Sequence, residues 1–244
     1  MARLVGIGVG PGDPGMLTLR ALAKLRSAET ILAPAISASL AGRAELVVTA
    51  ADPSLVVERI VFDMAPDAAA AAARERSAAA AAQALVPRMA PQGSSAFVTL
   101  GDVSLYSTFY PLAQAVRRLA PDVQIEMVPG ISAFSYLAAR TAMDLLDKSE
   151  RLHVVAVLGE GDLSRLEVLL ADGDATLVLY KCGRRFGRVR ELLRMAGRLG
   201  GALVGEQLGT PSEMIVEAGS VAADELGYFA TIIVPSGNRG AQRL

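Results

Sequence analysis

Residues 3–21 read RLVGIGVGPGDPGMLTLRA, and this stretch decides the fold. Its first part alternates apolar, largely β-branched residues with two glycines, which is typical of a buried strand. The segment GPGDPG at 10–15 then predicts a rigid turn with little side-chain bulk. Leucines follow at helical spacing up to Leu25, and we expect Thr18 or Asp13 to cap this helix. A strand, a glycine-rich loop and a helix place exposed backbone N–H groups at a sheet edge, where α/β folds bind ligands.

The spacing of the glycines argues against a dinucleotide site. A G-x-G-x-x-G motif that starts at Gly6 needs glycine at position 11, where Pro11 stands. A motif that starts at Gly8 needs glycine at position 13, where Asp13 stands. Pro11 also lacks an N–H, so the loop is a poor pyrophosphate cradle. A tight turn without any ligand is the alternative interpretation of this loop on its own.

The composition limits the class of protein. At 244 residues and 52% hydrophobic content, the chain can bury a sizeable core, yet no apolar run is long enough to span a membrane. We therefore expect a soluble cytoplasmic protein. With one cysteine, Cys182, and one histidine, His153, an internal disulfide is excluded and a metal site is not expected. The net charge of −1 predicts no general attraction to nucleic acid.

Predicted strands and helices alternate almost throughout, so the fold class is α/β with sheets that are at least partly parallel. We expect an N-terminal α/β domain over residues 1–120 and a C-terminal α/β domain over residues 121–244. The polar stretch 145–151 is an alternative boundary, or a lid.

Local patterns predict individual elements. Residues 46–48 predict a strand piece, and His153 is expected to lie in a strand. The alanine-rich stretch from Pro66 to about Val86 predicts a helix, because alanine is the best helix former. Residues 184–199 predict a basic helix in which Arg190, Arg194 and Arg198 share one face. Residues 221–226 predict a short helix.

Loops of low bulk follow several predicted strands. A site lined by such loops consists mostly of backbone, which suits a ligand with adenine, ribose and zwitterionic parts. The sequence offers no catalytic triad, no metal cluster and no acid–base pair of carboxylates. An enzyme of this kind is expected to work by positioning two bound reactants. The loops are residues 10–15, 101–102, 129–133, 181–183 and 209–210.

Three segments resemble signatures of the tetrapyrrole methylases. They are residues 8–14 (GVGPGDP) with 17–21, residues 101–108 (GDVSLYST) and residues 128–133 (VPGISA). The resemblance implies an S-adenosylmethionine-dependent methyltransferase of two α/β domains (class III), with the cofactor in the cleft between them. It covers about residues 3–235. The segments 105–109, 132–135 and 181–184 are most similar to the branch that methylates C20 of precorrin-2 in cobalamin synthesis.

The resemblance also implies a set of cofactor-binding residues, with three departures from the family. Val103 stands where the family usually has proline. The uroporphyrinogen-III branch has an acid near the position of Pro34, and its absence argues against that branch. Lys181 stands where that branch has a methionine, so its backbone rather than its side chain is expected to contact the cofactor. The implied residues are Pro11, Leu100, Gly101, Asp102, Leu105, Tyr106, Ser107, Ser132, Ala133, Lys181, Gly209 and Thr231.

The reaction implied by the resemblance is direct transfer of the sulfonium methyl group to C20 of a reduced tetrapyrrole. The proton acceptor is not identified by the sequence. Arginines suit the carboxylates of such a substrate, although a solvated face is the alternative interpretation of the basic helix. Asp102 is expected to orient the cofactor amino group or to cap the next helix, and Tyr106 to stack in the cleft or to pack in the helix. A homodimer is expected from the resemblance alone.

Other functions compete with this hypothesis. The substrate could contain cobalt, or the reaction could occur at another tetrapyrrole carbon. A diphthamide or ribosomal RNA methylase has the same fold, but the near-neutral charge and the 5% aromatic content argue against an RNA substrate. A nucleotide-binding module without catalysis is the alternative from a different class.

Overall fold

The computed structural model describes residues 1–62 and 71–237. Contacts divide the chain into two compact units, unit 1 (Met1–Ser132) and unit 2 (Ala133–Leu244). The expected domains divide after residue 120, before the strand Gln124–Val128, which pairs in parallel with the strand Arg3–Gly8 of unit 1. This pairing places the strand with unit 1.

Unit 1 contains a parallel sheet of five strands in its described residues. The strands are β1 (Arg3–Gly8), β2 (Thr30–Ala35), β3 (Val57–Val61), β4 (Ser94–Thr99) and β5 (Gln124–Val128), in the order β3-β2-β4-β1-β5. The helices are α1 (Leu19–Ser27), α2 (Arg43–Ala51), α3 (Ala71–Leu85) and α4 (Phe109–Leu119). Because every pairing is parallel, the loops that follow β1, β4 and β5 all lie at one edge of the sheet.

Helices cover both faces of this sheet. One core combines Leu4 of β1 and Phe97 of β4 with residues of α3 and α4. The other combines Val5 and Ile7 of β1 with residues of α1 and α2. Burial on both faces explains why the inner strands β1, β2 and β4 are mostly apolar, whereas the outer strands β3 and β5 contain charged residues.

The start of α1 confirms part of the prediction for residues 3–21. Thr18 is the N-cap, and its Oγ1 accepts a hydrogen bond of 3.1 Å from Ala21 N. Asp13 instead caps the short 3₁₀ helix Pro14–Met16 by accepting a 2.7 Å bond from Gly15 N. The two candidate caps therefore serve two successive helices.

Two predictions for unit 1 need comment. The strand predicted at 46–48 is wrong, because these residues belong to α2. Ala44, Val47 and Val48 are buried there at helical spacing, which outweighs the β preference of valine. The helix predicted from Pro66 is present as α3 from Ala71, and residues 66–70 lie outside the described residues.

Unit 2 contains a mixed sheet of five strands in its described residues. Its elements are α5 (Ala133–Arg140), β6 (Arg151–Ala156), α6 (Glu160–Leu170), β7 (Ala175–Tyr180), α7 (Phe186–Met195), β8 (Leu203–Glu206), β9 (Met214–Glu217) and β10 (Thr231–Val234). The strand order is β6-β7-β10-β8-β9, and among these pairs only β6 and β7 are parallel to each other. His153 lies in β6, as predicted.

The basic helix is shorter than predicted. It ends at Met195, so Arg198 does not share a helical face with Arg190 and Arg194. Arg198 is instead 7% exposed. Its guanidinium donates to the carbonyls of Ala175 (2.7 Å) and Pro235 (2.6 Å), which ties β7 to the end of β10. Arg198 is therefore a structural residue and not part of a solvated face.

The helix predicted at 221–226 is also wrong. Arg190 donates hydrogen bonds to the carbonyls of Val221 and Ala223 and to the Asp224 carboxylate. Gly187 N donates to the carbonyl of Asp224 at 2.8 Å. These carbonyls accept hydrogen bonds from the Gly187 N–H and the Arg190 side chain of α7, so they are not bonded within a helix of their own. Across the described residues, no helix is long and apolar enough to cross a membrane.

Candidate functional site

The loops after β1, β4 and β5 meet through backbone atoms. Gly10 and Gly101 form an isolated bridge, with N···O distances of 3.2 and 2.7 Å. A Cβ atom on Gly130 would lie 2.3 Å from Gly101 O and 2.7 Å from Gly8 O. Such an approach is possible only without side chains at these positions. The sheet edge of unit 1 therefore brings together main-chain groups from three loops, and Pro11 follows directly on the bridge.

Asp102 holds two of these loops together. Its Oδ2 accepts a 2.9 Å hydrogen bond from Gly130 N, and its Oδ1 accepts from Ser104 N at 2.8 Å and from Ser104 Oγ. The alternative role as cap of the next helix is wrong, because the N-cap of α4 is Thr108. The carboxylate thus fixes the relative position of the β4 and β5 loops.

The segment between Asp102 and α4 adds a strained residue. Tyr106 has a φ of +50°, a backbone conformation that non-glycine residues rarely adopt. It precedes α4, and its side chain is 44% exposed, so the ring does not pack within the helix. Ser107 Oγ donates to Val103 O at 2.6 Å and accepts from Phe109 N at 3.2 Å, which anchors the segment at its helical end.

The predicted residues of unit 1 thus lie on neighbouring loops of one sheet edge. Leu100 and Gly101 follow β4, and Ser132, which is buried, comes two residues after Gly130. The predicted members of this edge are Pro11, Leu100, Gly101, Asp102, Leu105, Tyr106, Ser107 and Ser132.

The remaining predicted residues gather at one edge of the sheet of unit 2. Thr231 at the start of β10 pairs with Tyr180 at the end of β7 and with Gly205 of β8. Lys181 follows Tyr180 directly, and Gly209 lies in the turn after β8. Tyr180 Oη accepts a 3.2 Å hydrogen bond from Phe134 N, which brings the start of α5, and with it Ala133, to the same edge.

Two residues of this second edge have unusual surroundings. Thr231 is fully buried, and within the described residues its Oγ1 has no hydrogen-bond partner. Such an atom is costly unless a ligand or water satisfies it. Lys181 has a φ of +57°, and its Nζ lies 5.9 Å from the centre of the Tyr228 ring. The ammonium group is held beside an aromatic ring that is half exposed.

Glu213 is a residue of this edge that the sequence analysis missed. Its carboxylate accepts a 2.8 Å hydrogen bond from Gly209 N and a 3.0 Å bond from Arg140 Nε. The spacing Thr210-x-x-Glu213 was a readable signal, because a glutamate three residues after a threonine often bonds a nearby backbone N–H. Here the residues lie in a turn rather than at a helix start.

The remaining reactive groups do not suggest covalent chemistry. Cys182 is buried, and burial raises the pKa of its thiol to about 12, so it is not a thiolate nucleophile. In the described ranges, 1–62 and 71–237, no group of His, Cys, Asp and Glu side chains is arranged to hold a metal ion.

Comparison with known proteins identifies the family. The family model of Tetrapyrrole (Corrin/Porphyrin) Methylases matches residues 3–222. The chain is 29% identical to a Sinorhizobium protein named precorrin-2 C(20)-methyltransferase, over 96% of each chain. It is 32% identical to a Salmonella typhimurium protein named cobalt-precorrin-2 C(20)-methyltransferase, over 95% of each chain. The X-ray structure of a cobalt precorrin-4 methyltransferase superposes with a TM-score of 0.69 at 20% identity, over 96% of this chain and 94% of that one.

That structural likeness confirms the expected α/β fold. The family model covers the glycine loops of unit 1 and every strand of both sheets except β10. The protein belongs to the tetrapyrrole methylase family.

Proposed function

We propose that this protein transfers a methyl group from S-adenosylmethionine to C20 of precorrin-2 and forms precorrin-3A in cobalamin biosynthesis. The observation that carries the proposal is the similarity, over at least 95% of the chain, to two relatives named for methylation at C20. The segments 105–109, 132–135 and 181–184, which resemble the same branch, support it.

The candidate residues fit S-adenosylmethionine. The backbone groups around Gly101 and Gly130 are close together without side chains, and the Thr231 hydroxyl is buried and without a protein partner among the described residues. The adenine, ribose and amino-acid parts of the cofactor need such donors and acceptors. When bound, the cofactor supplies an electrophilic methyl group. The residues proposed to hold it are Pro11, Leu100, Gly101, Asp102, Leu105, Tyr106, Ser107 and Ser132 of unit 1, and Ala133, Lys181, Gly209 and Thr231 of unit 2.

The role proposed for the chain is alignment. The hydrogen bond between Gly130 N and Asp102 and the bridge between Gly10 and Gly101 fix the loops in one arrangement, so the neighbouring backbone groups of these loops hold a ligand in one orientation. Alignment of two reactants can lower a barrier by up to about 7–11 kcal/mol. We assign no general base to the chain.

Arg184 is the proposed contact for a substrate carboxylate. It is exposed and comes three residues after Lys181. Most arginines around it have partners: Arg185 bonds Leu158 O, Arg188 pairs with Glu191, and Arg190 pairs with Asp224. Within the described residues Arg184 has neither a hydrogen bond nor an ion pair, so its guanidinium is available for a carboxylate.

A cobalt-containing substrate is the second candidate, because one of the two relatives is named for cobalt-precorrin-2. The decisive experiment supplies methyl-labelled S-adenosylmethionine with either precorrin-2 or cobalt-precorrin-2, without oxygen, and locates the label by NMR. Label at C20 is the expected result, and the faster of the two substrates identifies the route.

Other outcomes would contradict the proposal in distinct ways. Label at another ring carbon would keep the cofactor and overturn the position. Cofactor binding without transfer to either tetrapyrrole would favour the diphthamide or ribosomal RNA alternatives. The proposal also includes a cytoplasmic homodimer, for which light scattering should give about twice the chain mass of 25.4 kDa.

A further inference from the structure

The turn after β8 has an unusual backbone. Gln207 has a φ of +49° and Gly209 a φ of +73°, so two of its residues are left-handed and one of them is not glycine. The turn is closed by Thr210, whose N and Oγ1 both donate to Gln207 O, at 3.1 and 2.7 Å. A non-glycine residue stays in this conformation only where its surroundings hold it there.

The Glu213 carboxylate helps to fix this turn by accepting a hydrogen bond from its backbone. Its side chain is 13% exposed, and its Oε2 accepts from Gly209 N at 2.8 Å. Its Oε1 accepts from Arg140 Nε at 3.0 Å, and the buried Tyr136 hydroxyl is hydrogen-bonded to the same carboxylate. The carboxylate therefore joins one backbone N–H of the turn to two side chains of α5.

The charges of this cluster are consistent with an ionised carboxylate. Burial raises the pKa of Glu213, but hydrogen bonds from Gly209, Tyr136 and Arg140 outweigh it, so the pKa lies below its ordinary value. An ionised acceptor makes stronger hydrogen bonds than a neutral one. Tyr136 and Arg140 are four residues apart on α5 and so share the face that meets Glu213.

We propose that Glu213 is a positioning residue, which fixes the turn 207–210 to α5 and thereby sets Gly209 for contact with the cofactor. This inference rests on the proposed function, since it takes Gly209 as a cofactor contact. Helix α5 is itself bonded at Phe134 N to Tyr180 Oη, next to Lys181. Glu213 therefore connects the turn to the helix that already contacts the other loops of this sheet edge.

The test is the dissociation constant of S-adenosylmethionine for Glu213→Gln, measured by calorimetry on the full chain. Glutamine keeps the size but offers one acceptor oxygen where the carboxylate offers two, and it carries no charge. We expect the dissociation constant to rise about ten-fold, because a hydrogen bond to a charged group typically contributes this much. The KM for the cofactor should rise in parallel, while kcat at saturating cofactor and the KM for the tetrapyrrole stay within about two-fold.

Two further variants keep the test sharp. Glu160→Gln is the matched control. Glu160 lies on α6, away from the turn 207–210, and the change breaks its ion pair with Arg185. Cofactor binding should therefore stay unchanged. Tyr136→Phe removes one donor to Glu213 but keeps the ring, and should weaken cofactor binding about three-fold. If Glu213→Gln does not fold, Tyr136→Phe decides the question in its place.

The outcomes separate this inference from the function on which it rests. A folded Glu213→Gln that binds the cofactor as well as wild type does would overturn the positioning role alone. Equal losses in Glu213→Gln and Glu160→Gln, or a fall in kcat together with a raised KM for the tetrapyrrole, would also overturn it. Wild type that binds no S-adenosylmethionine would overturn the proposed cofactor, and this inference with it.

Discussion

Gly130 shows how much of the candidate site depends on one missing methyl group. A Cβ there would lie 2.3 Å from Gly101 O and 2.6 Å from Gly8 C, and both neighbours are backbone atoms that cannot rotate away. Gly130→Ala should therefore push the β5 loop off the other two. We expect at least ten-fold weaker cofactor binding and a loss of about 1–3 kcal/mol in the free energy of unfolding.

Calorimetry and urea unfolding check this prediction, with Gly200→Ala as the control. A Cβ on Gly200 meets nothing within 4 Å, so this change should leave both quantities unaltered. Equal behaviour of the two variants would mean that the close approach of the three loops is not required.

Arg184 carries the second prediction for a single residue. Arg184→Gln should raise the KM for the tetrapyrrole about ten-fold, because a charge-assisted bond to a substrate carboxylate is lost. The dissociation constant of S-adenosylmethionine should not change. Arg194→Gln is the control, since Arg194 is exposed in the last turn of α7. The test is to measure initial rates at several concentrations of the tetrapyrrole. An unchanged KM in Arg184→Gln would remove this residue from the substrate site.

Among the elements, α5 is followed by a residue with a left-handed backbone, Ala142. Met143 N donates to Ala138 O at 2.9 Å and Ala142 N to Ala139 O at 3.3 Å, while Ala142 has a φ of +49°. This is a Schellman motif, in which the left-handed position favours glycine. Ala142→Gly should raise the free energy of unfolding by about 0.5–1 kcal/mol.

The control for this change lies in the same helix. Ala139 is exposed within α5, and Ala139→Gly should lower the free energy of unfolding by about 1 kcal/mol, the ordinary cost of glycine in a helix. Urea unfolding of both variants should thus give shifts of opposite sign. Shifts of the same sign would show that the strain at Ala142 is relieved by its surroundings.

The elements also show which parts of the fold could be predicted from the sequence. The strand, turn and helix at residues 3–27 are local, since alternation, glycine and Thr18 act within a few residues. The end of α7 is not local, because Arg198 leaves the helix to bond the distant Pro235 carbonyl. Likewise the carbonyls of 221–224 are bonded by Arg190 from another element. Long-range hydrogen bonds of this kind leave no periodicity in the sequence.

The candidate site likewise contains parts that the local sequence indicates and parts that depend on long-range contacts. The glycine loops could be predicted because their function requires small residues at fixed positions. Glu213 left only the local spacing Thr210-x-x-Glu213 as a signal, and that spacing does not identify the Arg140 side chain that the same carboxylate accepts from.

For the whole molecule, the paired carboxylates predict how stability depends on pH. Hydrogen bonds from Lys24 and Arg20 lower the pKa of Glu126 below its ordinary 4.5, and Arg151 contributes to the lowered pKa of Asp172. Each group therefore holds its proton less tightly in the folded chain than in the unfolded chain. The stability that they contribute is fully present above about pH 5 and is lost as the pH falls through their folded-state pKa values.

The urea midpoint measured at several pH values tests this dependence. It should fall on acidification below about pH 4.5. In Glu126→Gln the fall should be smaller, because one of the carboxylates with a lowered pKa is gone. A midpoint that stays constant down to about pH 3 would show that these ion pairs contribute nothing to stability.

The strand order of unit 1 has a consequence for synthesis of the chain on the ribosome. Strand β1 pairs on one side with β4 and on the other with β5, so Arg3 faces Ser94 and Gln124. A nascent chain that has not yet reached β5 must keep one side of this apolar strand unpaired. Sheets built from such distant segments fold slowly, and until they are complete their unpaired strand edges are prone to aggregation. Strand β1, which leads into the first signature motif, is thus fully paired only when the last strand of unit 1 has been made, and chaperone contact should persist until β5 has emerged.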